Sequence, residues 1–319
     1  MRKKISIIVG GSGQLGICLA QVLLKKKYKV IITTRSLAQA KKKIPIINKN
    51  LKISKLDILN KKKIDFFIKK ISPNLIFYFA GQSSPTLSFK KNKLTYLSNV
   101  NGCKNFLEVL KRKNLKTKFI NASSSEIFAD SKKKINLFSQ KRPISPYGKA
   151  KLASFNLTKL YREKKKLNAY NAIIFNTESF FRDKNYLIPK ICIAAIKANY
   201  FKKKTFFGNL NISREWNWGD EQMMYLMKFV QKKPQDFILS NGRSYSGKEM
   251  LSYAFDYFKL DYKNYTKTKK NLIRKKDFLT KKSNFVSCLR RNKIHRDSKI
   301  FGKKIIYNLI QYYLNEKKS

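Results

Sequence analysis

Residues 5–16 read ISIIVGGSGQLG. Ile5, Ile7, Ile8 and Val9 make a short, nearly continuous apolar run, the pattern of a strand buried on both faces of a parallel sheet. Gly10, Gly13 and Gly16 follow as GxxGxxG, and helical apolar spacing takes over at 17–24. Phosphate binding needs this strand–turn–helix order. The glycines let the backbone turn tightly and approach a pyrophosphate, and the helix amino end supplies N–H groups and partial positive charge.

Further apolar runs at 29–33, 51–56, 75–79, 119–122 and 172–175 predict strands, and helical spacing at 99–110 and 147–161 predicts helices between them. Such alternation implies an α/β fold, a Rossmann-type doubly wound parallel sheet covered by helices. After about Asn176 the repeat loosens, with helical stretches at 189–198 and 222–231 and an amphipathic closing segment at 305–318. The expected organisation is a dinucleotide-binding domain over 1–175 and a smaller, irregular, mainly substrate-binding lobe over 176–319, some of whose segments return to the first domain.

The chain of 319 residues is 43% hydrophobic, with 23 Phe and 17 Tyr, enough for a sizeable core. Its formal net charge of +54 suggests nucleic-acid or anionic-surface binding at first sight. The excess is mostly Lys in short runs scattered from Lys3 to Lys318, a solvated pattern, whereas Arg, the bidentate reader of phosphate and guanine, is sparse. The Lys, Asn, Ile, Phe and Tyr bias is what an AT-rich genome produces, so neither a nucleic-acid partner nor a membrane is expected. Four separated cysteines form no CxxC pair and point to a reducing, cytoplasmic setting without a zinc site. The apolar part of the opening MRKKISIIVGG is too short for a signal peptide, and no run reaches the ~20 apolar residues of a membrane span. The only histidine, His295, sits in the basic segment RRNKIHRDSK. That leaves no metal site built on histidines and no Ser-His-Asp triad, so proton chemistry must fall to Tyr, Lys, Glu or Asp.

The second strand ends in TTRS, where Thr34, Arg35 and Ser36 stand in place of the acid that usually holds a ribose 2′-hydroxyl. A cation with hydroxyls suits a 2′-phosphate, hence NADP. Asp57 in KLDILN is placed to accept from the adenine amino group. SPYGKAK puts Tyr147 and Lys151 four residues apart, on one helix face. A nearby ammonium favours the phenolate and makes the phenol an acid/base. Upstream, NASSSEIF offers Ser124 and Glu126 after a strand. A hydroxyl, a carboxylate and a Tyr/Lys pair at the carboxyl ends of parallel strands are a catalytic set beside a nicotinamide.

With these motifs in hand, the chain resembles the GDP-mannose 4,6-dehydratase family, within the extended short-chain dehydrogenases. GGSGQLG matches its glycine loop, FAGQSSPTLSF its AQSHVxxSF, NASSSEIF its xASTSExYG and SPYGKAKL its SPYAxAKL. FNTESFFR is like its FNHESPxRG, GNLNISREW like its GNLDAKRDW, and IRKKD like part of its FRPxEVD. Thr177 replaces a His, Leu15 an Asp, Phe180 a Pro and Ser124 a Thr of the family pattern. The resemblance implies an NADP-dependent lyase that oxidises a nucleotide-linked hexose at C4, eliminates water across C5 and C6, and returns hydride to C6, GDP-mannose being the substrate. It implies Ser124, Glu126, Tyr147 and Lys151 as catalytic residues. The implied cofactor set is Gly10, Gly13, Gln14, Gly16, Arg35, Ser36, Asp57, Ile58, Ala80, Gln82, Tyr147, Lys151 and Asn176. The implied substrate contacts are Ser83, Asn176, Glu178, Lys190, Asn209, Arg214 and Arg274. It also implies a homodimer or homotetramer. A reductase or epimerase of a nucleotide-linked 4-ketosugar is the alternative on the same fold, and a non-catalytic basic binding protein a third.

Overall fold

The computed structural model describes residues 3–113, 116–128, 133–273 and 280–316. Two compact units are present. Unit 1 is Met1–Ala129, Leu137–Ile174 and Gln222–Leu239, and unit 2 is Asp130–Asn136, Phe175–Glu221 and Ser240–Ser319.

Unit 1 is built on seven strands: β1 (Ile5–Val9), β2 (Lys29–Thr34), β3 (Leu51–Lys55), β4 (Leu75–Tyr78), β5 (Lys118–Ser124), β6 (Ala169–Ile174) and β7 (Asp236–Leu239). They pair in the order β7-β6-β5-β4-β1-β2-β3, every neighbour parallel. Residues 6–9 and 75–78 and all of β6 are buried, as strands covered on both faces must be. The order reverses between β1 and β4, the switch point at which open α/β sheets bind ligands.

Helices fill the crossovers: α1 (Gln14–Lys25), α2 (Leu37–Lys43), α3 (Lys61–Ile71), α4 (Pro85–Lys90), α5 (Asn92–Tyr96), α6 (Gly102–Arg112) and α7 (Pro146–Glu163). No clear period in the sequence marks α2 to α5 or β7: α2, α4, α5 and β7 are short, and α2 and α3 carry lysine runs. The helix expected at 99–110 differs in kind. A π turn, Leu97–Asn101, joins α5 to α6. The core of this unit gathers Ile7, Val9, Ile64, Ile76, Phe106 and Phe119.

In unit 2, α8 (Leu187–Phe201), α10 (Gly247–Asp256) and α12 (Lys303–Asn315) pack on one another, and α9 (Gly219–Val230) carries the chain from unit 2 into unit 1. Their shared core includes Ile191, Phe207, Trp216, Met250, Phe255 and Leu309. α11 (Phe285–Arg291) is short. Most strands here have two residues, for example 177–178 paired with 217–218. Among the described residues no helix is long and apolar enough to cross a membrane, and no metal-ligating cluster of His, Cys, Asp and Glu occurs.

Candidate active site

The glycine turn after β1 is shaped by contacts that exclude side chains. Gly10 has φ +73°, a left-handed conformation that disfavours any Cβ. A Cβ there would lie 2.5 Å from the Ala80 Cα, and one on Gly16 would lie 2.4 Å from the Gly11 Cα. The turn therefore packs directly on the end of β4, and α1 directly on the turn. At Gly13 the nearest atom to an added Cβ would be 3.8 Å away, so this side is open. Gly13 is the N-cap of α1, with no side-chain cap and no acid in the first turn. The helix's own bonding begins with Ile17 N donating to Gly13 O (3.0 Å), and residues 14–16, Gln14 among them, precede it. A helix start without competing carboxylates fits an anionic pyrophosphate.

Arg35 is exposed at the end of β2. The Ser36 hydroxyl caps α2, accepting from Gln39 N at 3.4 Å, and its O–H remains a donor. Asp57 is exposed, and one of its oxygens accepts from Leu59 N at 2.9 Å. Ile58 and Ala80 are buried. Asn105 on α6, absent from the sequence reading, donates to the Ile58 carbonyl at 3.0 Å and fixes that turn. The Gln82 backbone is clamped by the π turn: its N–H donates to Ser98 Oγ (3.3 Å), and its carbonyl accepts from Asn99 Nδ2 (3.2 Å). Ser83 is exposed beside it.

At the end of β5 the chain tightens into a single 3₁₀ turn, Ser125–Ile127, with Ser124 accepting from Glu126 N at 3.2 Å. Ser145 caps α7 by accepting from Gly148 N (3.0 Å), and Pro146 occupies its first turn. SPYG thus sets where the helix starts and places Tyr147 in that turn. A Cβ on Gly148 would lie 2.6 Å from the Glu126 carbonyl oxygen, so the Glu126 turn rests on the first turn of α7. Glu126 is half-buried; Ser124 and Tyr147 are buried. The Lys151 ammonium lies 5.8 Å from the centre of the Tyr147 ring and donates to the Ala122 carbonyl at 2.8 Å. Burial lowers the Lys151 pKa to about 8, with the Cys103 thiol acting weakly the other way. All four expected catalytic side chains therefore come from the end of β5, the 3₁₀ turn after it and the start of α7, all within unit 1. No sequence pattern signalled the Ala122 carbonyl as the anchor of Lys151, because a main-chain acceptor leaves no side-chain trace.

In unit 2 the strand 177–178 runs beside 217–218. The Asn176 carbonyl accepts from Asn217 twice, from N at 2.9 Å and from Nδ2 at 2.7 Å. Glu178 is buried, one oxygen has no hydrogen-bond partner, and Arg182 Nε stands 3.9 Å away. Burial pushes its carboxyl up to about 7, and the Arg182 charge offsets part of that. Lys190 donates to the Phe206 carbonyl at 2.7 Å, and burial lowers its pKa. Asn209 accepts from Asn211 N at 2.9 Å. Arg214 is buried, with Nη1 on the Ser213 carbonyl at 2.9 Å. Arg274 lies outside the described residues.

Comparison with known proteins is consistent across sequence and structure. The family model described as GDP-mannose 4,6 dehydratase matches residues 7–301. A GDP-mannose 4,6 dehydratase from Arabidopsis thaliana is 30% identical over 289 residues, covering 85% of this chain and 80% of that protein. A UDP-N-acetylglucosamine 4-epimerase from Methanobrevibacter ruminantium, solved with UDP-N-acetylmuramic acid, superposes with a TM-score of 0.86 at 18% identity, covering 99% of this chain and 100% of that one. A dTDP-glucose 4,6-dehydratase from Streptomyces venezuelae, solved with NAD and TYD, gives 0.85 at 16% identity, covering 98% of each. At these identities the two solved structures speak for the fold alone.

Proposed function

The chain belongs to the GDP-mannose 4,6 dehydratase family, and from that we propose that it dehydrates a nucleotide-linked hexose, GDP-mannose to GDP-4-keto-6-deoxymannose, with NADP. The observation that carries this reading is the contact of the Ser124–Glu126 turn with the start of α7, where Tyr147 and Lys151 stand together.

A nicotinamide dinucleotide on the glycine turn would supply a reversible store for a hydride, taken from C4 and given back at C6 as C5 regains a proton. The chain's own residues do the rest. Gly10, Gly13, Gln14 and Gly16 cradle the pyrophosphate; Asp57, Ile58, Ala80 and Gln82 hold the adenosine and ribose side. Arg35 and Ser36 favour the 2′-phosphate. Tyr147 takes the 4-hydroxyl proton, helped by the Lys151 charge, while Ser124 hydrogen-bonds the same oxygen. Once C4 is a ketone, the C5 proton is acidic; Glu126 removes it and passes a proton to the departing 6-hydroxyl. Ser83, Asn176, Glu178, Lys190, Asn209, Arg214 and Arg274 bind the sugar nucleotide. The proposal extends to a homodimer or homotetramer in the cytoplasm, with residues 1–175 carrying the cofactor and 176–319 mainly the substrate.

The test is turnover of GDP-mannose with catalytic NADP, read as a 4-ketosugar by mass. Net NADPH accumulation would indicate a dehydrogenase instead. Glu126→Gln should slow elimination by roughly 10²–10³-fold while cofactor affinity stays near wild type. Normal turnover by that variant removes the role given to Glu126. Arg35→Ala should weaken NADP more than NAD; equal losses would remove the preference for the 2′-phosphate.

A further inference from the structure

Three polar residues lie in register across neighbouring strands of the unit 1 sheet: Asn121 on β5 faces Asn171 on β6, and Asn171 faces Asp236 on β7. The two asparagines are 1% and 0% exposed. Asn121 Nδ2 donates to Asn171 Oδ1 at 3.0 Å, and Asn171 Nδ2 donates to Asp236 Oδ1 at 2.9 Å. Arg162 on α7 closes the row, its Nη1 on the same aspartate oxygen at 2.7 Å. Asn171 Nδ2 also reaches the main-chain carbonyl of Phe155, inside α7, at 3.0 Å. Buried amides left without partners cost roughly 1–3 kcal/mol each, and apolar side chains would fill a sheet-to-helix layer without that risk.

The row touches both elements that carry the proposed chemistry. Asn121 precedes Ser124 by three residues on β5, and Phe155 follows Lys151 by four on α7. Lys151 itself bonds the Ala122 carbonyl, one residue further along β5. One attachment would let the helix pivot over the strand. Attachments at 151, 155 and 162 fix its rotation and its slide.

We propose that Asn171 is a positioning residue, which with Asn121 and Asp236 sets where Tyr147 and Lys151 stand relative to Ser124 and Glu126. It touches neither substrate nor cofactor. Misplacing a reacting group by about 1 Å can cost on the order of 10²-fold in rate. The catalytic part of the inference rests on the reading proposed above; the mechanical part does not.

The experiment uses Asn171→Leu, with the same branching and number of side-chain heavy atoms but unable to bond, beside Asn121→Leu, which leaves the Phe155 bond in place. Turnover of GDP-mannose is followed across pH, and amide exchange over residues 146–155 is followed in parallel. Asn171→Leu should lower kcat by about 10–100-fold with KM within about twofold. It should also move the acid limb of the kcat profile to higher pH, because the phenol loses part of the ammonium's support. Exchange should accelerate in 146–155 and not in 14–25, and Asn121→Leu should show the same changes more weakly. A folded Asn171→Leu with an unmoved acid limb and uniform exchange overturns the proposal. If that variant does not fold, Arg162→Met, which leaves every bond of Asn171 in place and cuts the row at Asp236 together with the 3.4 Å bond to the Ala169 carbonyl, must show the same limb shift and local exchange, and their absence overturns it equally. A wild-type protein that turns over no nucleotide sugar defeats the functional reading instead, and the exchange pattern then decides the positioning role alone.

Discussion

Unit 1 and unit 2 bury ionisable groups in different ways. Lys151, in unit 1, is a buried cation on a main-chain carbonyl, at the end of a long parallel sheet whose register holds that carbonyl still. Among the described residues, unit 2 has no such sheet and buries carboxylates among strands of two or three residues. Glu215 accepts from Ser283 N and Ser283 Oγ, both at 2.6 Å, and from the Ser240 hydroxyl, tying residues 215, 240 and 283 together. Among the described residues, Glu178 has only Arg182 at ion-pair distance. Burial raises both carboxyls. The long sheet fixes Lys151 through one main-chain carbonyl held by register, whereas Glu215 in the irregular unit draws on both side-chain hydroxyls and main-chain N–H, and Glu178 keeps one oxygen without a hydrogen-bond partner.

The sharpest way to break this contrast is Lys151→Met. Turnover should fall by roughly 10³-fold or more with the far-UV circular dichroism unchanged; retained activity would mean that the phenol needs no ammonium. In the wild type the same residue sets an alkaline limb. Its folded pKa lies near 8 rather than 10.5, so the cation is lost as pH rises through 8 and kcat should decline there. Next in size is Glu215→Gln, which removes a charged acceptor from the Ser240 and Ser283 hydroxyls and the Ser283 and Gly242 N–H groups and should cost unit 2 about 2–3 kcal/mol, read by denaturant unfolding.

Glu178→Gln should act in the opposite direction. The folded carboxyl holds its proton to about pH 7, whereas its ordinary value is 4.5. The unfolded chain therefore releases the proton first, and wild-type stability falls as pH rises from about 4.5 to about 7. Gln removes that penalty, so the variant should match the wild type below pH 4.5 and exceed it by up to about 3 kcal/mol above pH 7. A constant difference across pH would show that Glu178 stays charged when folded. The smallest effect concerns helix ends. α8 stops at Lys202 with φ +50°, a left-handed position where glycine is favoured. Lys202→Gly should raise stability by up to about 1 kcal/mol, read as a higher Tm.

That lysine also explains where helix limits escaped the sequence. Lys27, Lys166, Lys202, Lys259 and Lys293 all take positive φ. Each follows a helix by one to three residues, so the usual glycine stop signal is missing. β7 leaves no sequence signal because DFIL, a four-residue strand beginning two residues after Pro234, carries no usable period. The π turn at 97–101 leaves the apolar spacing nearly intact while shifting the residues beyond it, which is why 99–110 reads as plain helix.

Local chemistry determined much of this protein from sequence alone. A glycine that must take positive φ, a proline-started helix and a tyrosine four residues before a lysine are short-range constraints, each readable where it stands. Only the tertiary structure decided what depends on strands far apart in the chain. The Ala122 carbonyl meets Lys151, Asn171 joins residues 121, 155 and 236, and Asn217 grips Asn176 because sheet order and register bring their backbones within hydrogen-bond range. A hydrogen bond acts over about 3 Å, so no reading of neighbours along the chain can supply partners that folding alone makes adjacent.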